Sequence, residues 1–452
     1  MTAQARNTRK LHILTHGCQM NVYDSARMAD LLRPIGYETV EAPEGADMVI
    51  LNTCHIRERA EEKVFSQLGR WRKLKEEQGG RMMIAVTGCV AQAEGEVLAK
   101  RAPFVDLVVG PQAYHRLPEL IAAAHRKTGT VIDTDFPAEQ KFDFLPDDAA
   151  PQGVVSFLSI QEGCDKFCSF CVVPYTRGAE SSRPAASVVA EARRMVAGGA
   201  REIALLGQNV NAYHGEGPDG KIWGLARLVA ELSDIAGLER IRYTTSHPND
   251  MEDALIAAHG TNPKLMPSLH LPVQSGSDKI LRAMNRKHDA AKFHRIVERL
   301  KAARPDIALS SDFIVGHPGE TDEDFAATMK LVKETGFALA YSFKYSPRPG
   351  TPAAGLPQIE EAVKDARLYE LQAELRRQQY AFNDSKLGQT LPVLFTGPGR
   401  HANQQAARSG YMQPVVVEHS TDLTGQICEV EIIQSNPNSL LGRLVDKEKR
   451  AA

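Results

Sequence analysis

No apolar run in the 452 residues approaches the length needed to cross a bilayer, so no membrane span is expected. Charge of one sign is also missing. Lys and Arg number 54 against 56 Asp and Glu, a formal net charge of −2. Composition therefore announces no polyanion binder, and any contact with nucleic acid has to come from local patches. Internal repeats and low-complexity tracts are absent, which excludes solenoids and disordered linkers as the main architecture. The segment Met1–Lys10 is polar and basic with no apolar stretch behind it, so a secretory signal is not expected and a cytoplasmic protein is. Cysteine is scarce and odd in number: Cys18, Cys54, Cys89, Cys164, Cys168, Cys171 and Cys428. An odd set cannot form a fully paired disulfide framework, and clustered cysteines in a reducing compartment read better as metal or redox ligands.

What is present is an ordinary globular balance, 43% hydrophobic and 24% charged, in a chain long enough for several domains. Apolar runs at Leu11–Thr15, Met48–Asn52 and Met82–Thr87 alternate with helical stretches at Ser25–Pro34 and Glu58–Glu77, implying a small parallel α/β sheet. A Pro-, Asp- and Ala-rich stretch at 137–152 reads as a linker. Six strand candidates follow: Val154–Gln161, Glu202–Leu206, Ile241–Thr245, Ser268–Val273, Ile307–Ile314 and Ala338–Tyr345. Helices between them suggest a partial (β/α)6 barrel, two units short of a closed eightfold one. Glu361–Phe382 reads as a charged amphipathic helix bracing that barrel. Short strands at Thr390–Phe395, Met412–Val417, Gln426–Ile433 and Ser439–Val445 then predict a small antiparallel β-barrel, a class that often holds oligonucleotides.

The strongest local signal is Cys164-x3-Cys168-x2-Cys171, directly after the first barrel strand. Three thiolates on one tight loop suit three irons of a cubane cluster and leave the fourth iron open to a substrate. Structural zinc is the competing reading, but it normally takes four protein ligands. No fourth cysteine lies nearby, and the closest following histidine is His214.

Cys18, Cys54 and Cys89 are 36 and 35 residues apart, too far to form a motif by spacing. Their contexts carry the argument. LHILTHGC, DMVILNTC and MMIAVTGC are each an apolar strand, a short polar turn and a cysteine. In a parallel sheet these ends share the edge where α/β folds bind ligands. A lone cysteine there is usually a buried apolar residue; three in matching positions point to a second cluster. Cys428, in the alternating GQICEVEII strand, reads as a core or interface residue of the small barrel.

The surrounding residues resemble the methylthiotransferase family of radical S-adenosylmethionine enzymes. HGCQMNVYDS, NTCHIRERAEEK and GCVAQ are similar to its amino-terminal domain, and IQEGCDKFCSFCVVPYTRGAESSR to its radical centre. LLGQNVNAYHG, TSHP, HLPVQSGSD, SSDFIVGHPGET and YSPRPGTPAA resemble its successive barrel strand ends. The final small barrel looks like a TRAM domain. The resemblance covers nearly the whole chain and sets the domains at 9–126, 150–382 and 385–448. VVPYTRG and GQNVNAY look most like the branch acting on a prenylated adenosine beside the tRNA anticodon. Sister branches act on threonylcarbamoyladenosine in tRNA or on a ribosomal aspartate. A non-catalytic iron–sulfur RNA-binding protein is the alternative of a different class, disfavoured by the missing fourth ligand in both cysteine groups.

The resemblance implies two 4Fe-4S clusters, one on Cys164, Cys168 and Cys171 and an auxiliary one on Cys18, Cys54 and Cys89. It implies two molecules of S-adenosylmethionine, one methylating a cluster-bound sulfur and one yielding a radical that activates C2 of the adenine. It further implies a tRNA anticodon stem-loop as substrate, a flavodoxin- or ferredoxin-type electron donor and a sulfur donor; a monomer is expected. No acid–base or nucleophilic catalytic residue is required. Strand-end residues Gln208, Asn209, Ser246, His247, Gln274, Ser275, Asp312, Gly316 and Gly319 are candidates for the cofactor's ribose, carboxylate or adenine, each with a turn or cap as its plainer reading. Arg177 and Arg183 are candidates for tRNA phosphate or the cofactor carboxylate, with a solvated surface role as the alternative. His317 stands where the family more often has Phe and is expected to be a partly exposed neutral histidine. Ser169, in place of the family's usual Thr, is assigned no role.

Overall fold

The computed structural model describes residues 8–54, 60–136, 141–144, 146 and 152–445. Most of the expected linker at 137–152, residues 55–59 of the second cysteine motif and the end beyond 445 lie outside these. The described chain falls into two units. The first holds the amino-terminal part together with 162–165 and 172–181; the second holds 151–161, 166–171 and everything from 182 onward.

The first unit is built on six strands: β1 (Arg9–His16), β2 (Tyr37–Thr39), β3 (Met48–Thr53), β4 (Met83–Gly88), β5 (Leu107–Val109) and β6 (Val131–Asp133). They pair in the order β2-β1-β3-β4-β5-β6, every pair parallel. Every residue of β3 and β4 is buried, as expected of central parallel strands covered on both faces. On one face helices α1 (Gln19–Leu32) and α4 (Leu117–Ala124) lay Met28, Leu32, Leu117 and Ile121 over Leu11, Ile50 and Leu107. On the other, α2 (Ala60–Glu77) and α3 (Cys89–Arg101) lay Val64, Leu68, Trp71 and Leu98 over Val49, Leu51, Ile84 and Val86. Each large side chain so buried contributes roughly 1.5–3 kcal/mol. Sequence reading located β1, β3 and β4 but not β2, β5 and β6, which have three residues each and show no period of their own.

The second unit carries the six expected barrel strands: β7 (Val155–Ser159), β8 (Glu202–Leu206), β9 (Arg240–Tyr243), β10 (Ser268–His270), β11 (Ala308–Val315) and β12 (Leu339–Lys344). They form two parallel sheets, β9-β8-β7 and β10-β11-β12, joined by a parallel bridge between Ile241 and Leu265. The result is an open (β/α)6 barrel. The helix Glu361–Asp384 packs on β12 and on the helix Asp322–Thr335.

The final small barrel is closed by β13 (Thr390–Pro398), β14 (Gln404–Ser409), β15 (Pro414–Glu418), β16 (Ile427–Asn436) and β17 (Ser439–Leu444), in the order β13-β14-β15-β17-β16. The antiparallel expectation needs one correction, because β15 and β17 pair in parallel to complete the ring. β14 escaped sequence reading because QQAARS has too few apolar residues to alternate. Phe395, Val415, Val417, Val430 and Ile432 fill the interior, and half-buried Cys428 packs at its margin, consistent with a residue of that core.

Two arginines of β9 fasten this barrel to the larger one. Arg240 donates to the carbonyls of Arg408 and Pro392 at 2.9 Å each. Arg242 donates to the carbonyls of Gly410 at 2.8 Å and Ser409 at 3.0 Å, and its Nε reaches Glu202 at 2.8 Å. Burial lowers the pKa of both arginines, Arg240 to about 10, which leaves the charge in place at neutral pH.

Candidate functional site

The parallel register of the first sheet brings its cysteines together. His16 is paired with Thr53, and Thr53 with Gly88, so β1, β3 and β4 end side by side. Cys18, Cys54 and Cys89 follow those ends by two, one and one residues. Cys18 is the N-cap of α1 and Cys89 the first residue of α3, both at helix ends that favour negative charge. The edge tolerates no extra bulk. A Cβ on Gly17 would stand 2.5 Å from the Cys54 Cβ, and one on Gly88 would strike the Thr53 carbonyl; both glycines have positive φ. Buried Asn52 links the strand ends, donating to the Asn21 carbonyl at 2.9 Å and to Ser25 Oγ at 3.0 Å while accepting from Asn21 Nδ2 at 3.1 Å.

The three thiols are near enough to shift one another: Cys54 is pushed up, first by Cys18, then by Cys89 and by burial. Cys18 is drawn down to about 7 and Cys89 to about 6, in each case first by Cys54. Burial opposes this shift, and the Arg177 charge assists it. Two of the three therefore lean toward the thiolate, which is the form that binds metal. Among the described residues no three His, Cys, Asp or Glu side chains close on one ion-sized point. A cluster differs from a one-ion site in spreading its thiolates over several irons.

Behind the thiols lies a buried charge network that sequence reasoning missed. Arg177 donates to Asp24 at 2.8 Å and to Glu162 at 3.1 Å. Lys141 reaches Glu162 at 2.6 Å and Asp24 at 3.4 Å, and lies 4.5 Å from the Tyr114 ring centre. Gln112 donates to Glu162 at 2.9 Å and to the Arg177 carbonyl at 3.0 Å. Charged residues scattered from 24 to 177 carry no spacing signal; only the fold collects them.

In the second unit, Lys166, Cys168 and Cys171 belong to a loop held from several sides. Lys166 pairs with Asp250 at 2.8 Å. Asn285 donates to the Phe167 carbonyl at 2.9 Å, and Arg286 Nη1 to the Cys168 sulfur at 3.6 Å. Ser169, assigned no role from sequence, donates to the Ala283 carbonyl at 2.8 Å and lies 3.4 Å from His317 Nε2. His317 itself is fully buried, its ring 5.3 Å from that of Tyr345, which corrects the expectation of partial exposure. Burial also lowers its pKa, so its neutrality stands. Cys164 belongs to the first unit, where its N–H donates to the Gly178 carbonyl at 3.2 Å.

The strand-end residues divide. Asn209, Ser246, His247 and Gln274 are buried, and Asn209 Oδ1, Ser246 Oγ, His247 Nε2 and Gln274 Oε1 have no hydrogen-bond partner among the described residues. A buried polar atom without a partner costs about 1–3 kcal/mol, and these four share the carboxyl-terminal strand ends of the barrel, where a ligand or water would relieve that cost. His247 Nδ1 accepts from the Asn249 N–H at 3.0 Å, and burial holds the ring neutral. Its Nε2 therefore carries a hydrogen to donate. Gln208 offers its backbone N–H to Gln161 Oε1 at 2.9 Å. Ser275 is engaged with Thr328 at 3.2 Å, inside the packing. Asp312 lies 3.4 Å from His270 Nε2, and Gly316 is explained by its left-handed turn and by Lys364, which a Cβ would strike. At Gly319, also left-handed, a Cβ would meet nothing within 4 Å.

Neither arginine offered for RNA is solvated. Arg177 is held as described, and Arg183 donates to the Ser159 carbonyl and pairs with Glu191, each at 2.7 Å. The surface reading of both is corrected: their forks are engaged by groups of the chain itself.

Comparison with known proteins agrees with this organisation. Residues 10–110 match the profile described as Uncharacterized protein family UPF0004, 158–332 the Radical SAM superfamily and 384–445 the TRAM domain. Among solved structures, the radical S-adenosylmethionine methyltransferase TsrM from Kitasatospora setae shares the fold, with a TM-score of 0.55 at 15% identity over 77% of this chain and 75% of that one. So does the cobalamin-dependent S-adenosylmethionine radical enzyme OxsB, at 0.52 and 12% over 81% and 56%. Two curated relatives are named tRNA-2-methylthio-N(6)-dimethylallyladenosine synthase. The protein of Jannaschia sp. (strain CCS1) is 60% identical over 439 residues, 97% of this chain and 94% of the relative. That of Maricaulis maris (strain MCS10) is 59% identical over 451 residues, 98% and 99%. With that identity along nearly its whole length, the chain belongs to the tRNA-2-methylthio-N(6)-dimethylallyladenosine synthase family of radical S-adenosylmethionine enzymes.

Proposed function

We propose that the chain converts N6-(dimethylallyl)adenosine beside the tRNA anticodon to its 2-methylthio derivative. In this reading Cys164, Cys168 and Cys171 hold one 4Fe-4S cluster, and Cys18, Cys54 and Cys89 hold a second. The observation that carries it is the meeting of three cysteines, from three separate strands, on one sheet edge. The residues present fit such a group: soft sulfur ligands, two of them leaning toward the thiolate. The unpartnered atoms of Asn209, Ser246, His247 and Gln274 likewise fit a polar cofactor such as S-adenosylmethionine.

Bound there, the clusters and S-adenosylmethionine supply one-electron chemistry that opens an unactivated aromatic C–H bond, and the sulfur and methyl group that replace the hydrogen. The chain's own part is placement. His247 Nε2 presents a hydrogen and Asn209 Oδ1 an acceptor, complementary handles for a zwitterionic cofactor. Asp250 joins Lys166 of the cysteine loop to Asn209 Nδ2, so loop and cofactor contacts are set by one carboxylate. Arg286 donates to the Cys168 sulfur, which helps fix where that side chain points.

The domains are taken as 9–126, 150–382 and 385–448, the last gripping RNA in the manner expected of a TRAM barrel. Partners are a flavodoxin- or ferredoxin-type reductant and a sulfur donor; the protein acts as a monomer in the cytoplasm. Single-stranded loops present unstacked bases, which suits an anticodon-loop adenosine. Anaerobic turnover of reconstituted protein with reductant, S-adenosylmethionine and tRNA tests the reading by mass spectrometry of the digested nucleosides. Prenylated tRNA is expected to give the methylthio product, and tRNA carrying threonylcarbamoyladenosine none. The reverse pattern would contradict the substrate assignment.

A further inference from the structure

We propose that the inner face of β11 and β12 seats the base to be modified. Tyr341 and Phe343 form the wall for its dimethylallyl chain, and Asp312 accepts the hydrogen on N6. The inference rests on the substrate reading above and goes beyond it in naming residues that select the substrate. In parallel register Asp312 stands beside Tyr341 and Ile314 beside Phe343, so these side chains share one face of the sheet. The alternate residues point into the helical layer. Phe313 meets the Phe337 ring at 5.4 Å, and Lys344 pairs with Glu361 at 3.0 Å and Asp365 at 2.7 Å on the helix Glu361–Asp384. The Asp312–Tyr341 face is therefore the concave inside of the open barrel.

Tyr341 is 51% exposed and Phe343 44%, and among the described residues no other large apolar side chain of the six barrel strands is exposed. Aromatic rings left bare inside a barrel gain by being covered, and a nucleobase with a hydrocarbon arm covers them by stacking and by apolar contact. One polar group stands among them. The Asp312 side chain is 28% exposed, and it lies 3.4 Å from Nε2 of His270 on β10. His270 is held in turn by Ser310 Oγ at 3.0 Å from its Nδ1, with its ring 6.3 Å from that of Tyr341. An ionised carboxylate only accepts hydrogen bonds, and N6-(dimethylallyl)adenosine carries one hydrogen and one alkyl chain on the same nitrogen. An acceptor beside two exposed rings matches both. Gln274, counted above among the cofactor handles, bridges to Phe313, between Asp312 and Ile314, which sets this seat next to the cofactor contacts.

The test measures binding of anticodon stem-loop oligonucleotides to the reconstituted full-length protein, with S-adenosylmethionine binding measured alongside. Two oligonucleotides differ only in the dimethylallyl group, and the parent is expected to prefer the prenylated one at least about tenfold. Y341A and F343A are each expected to cut that preference at least about fivefold, and F343L to keep more of it than F343A. A third oligonucleotide carries a methyl group in place of the N6 hydrogen. It is expected to bind the parent at least about tenfold more weakly than the prenylated one, and D312A with less than about a threefold difference. If D312A does not fold, the two aromatic variants decide. A preference unchanged in both of them would overturn the proposal. So would weakened S-adenosylmethionine binding with the preference intact, which would assign this face to the cofactor. A parent that shows no preference for the prenyl group would fail the substrate reading itself, a result distinct from a preference that ignores Tyr341 and Phe343.

Discussion

Alanine at Cys164, Cys168 or Cys171 is expected to reduce both 5′-deoxyadenosine formation and tRNA modification to background, a loss of at least about a thousandfold. Alanine at Cys18, Cys54 or Cys89 is expected to abolish the methylthio product while leaving 5′-deoxyadenosine formation within about tenfold of the parent. For Cys168 and Cys171 the difference follows from where the residues stand, and Cys164 is grouped with them by its place in the same C-x3-C-x2-C run. The polar handles proposed for S-adenosylmethionine lie at Asn209, Ser246, His247 and Gln274, in the same unit as Cys168 and Cys171. The other trio closes a separate sheet edge, organised by Asn52, Gly17 and Gly88. Product and 5′-deoxyadenosine are quantified from one anaerobic reaction by chromatography and mass spectrometry. Equal loss of both in the Cys18, Cys54 and Cys89 variants would contradict a division of labour between the centres.

The largest structural effect is expected at Arg242. It satisfies two carbonyls of the small barrel and the buried Glu202 carboxylate at once. Arg242→Ala leaves that carboxylate without its closest cation, since Arg240 stands at 3.9 Å. Removing one partner of a buried pair costs about 3–5 kcal/mol, and the stranded carbonyls add to it. Thermal unfolding is expected to begin well below that of the parent, with earlier proteolytic cleavage around residues 385–390. R242K is expected to be milder than R242A, because a lysine keeps a cation beside the buried Glu202 carboxylate. An R242A protein within about 0.5 kcal/mol of the parent would show that this contact does not hold the small barrel.

The parts of this molecule legible in the sequence are those with a period or a repeated context. The barrel strands were found because each is an apolar run bounded by turns. The Cys18–Cys54–Cys89 edge was found because three strands end in the same way. β2, β5 and β6 were missed because three residues show no alternation, and β14 because its sequence is polar. The buried roles of Arg177, Arg183 and His317 were illegible for a different reason. A charged or imidazole side chain looks solvated until the fold supplies partners, and the Asp24 that holds Arg177 is 153 residues away in sequence. Arg240 and Arg242 likewise read as ordinary strand cations, because their partners are backbone carbonyls about 150 to 170 residues on.

The central claim, that two separate groups of three cysteines each hold a cluster, is tested most directly by iron and sulfide analysis with Mössbauer spectroscopy. Parent protein, C164A/C168A/C171A and C18A/C54A/C89A would be reconstituted side by side. Each triple variant is expected to retain about half of the parent's iron, as a single kind of 4Fe-4S cluster. A C18A/C54A/C89A protein that kept the full iron content, or lost all of it, would contradict the claim.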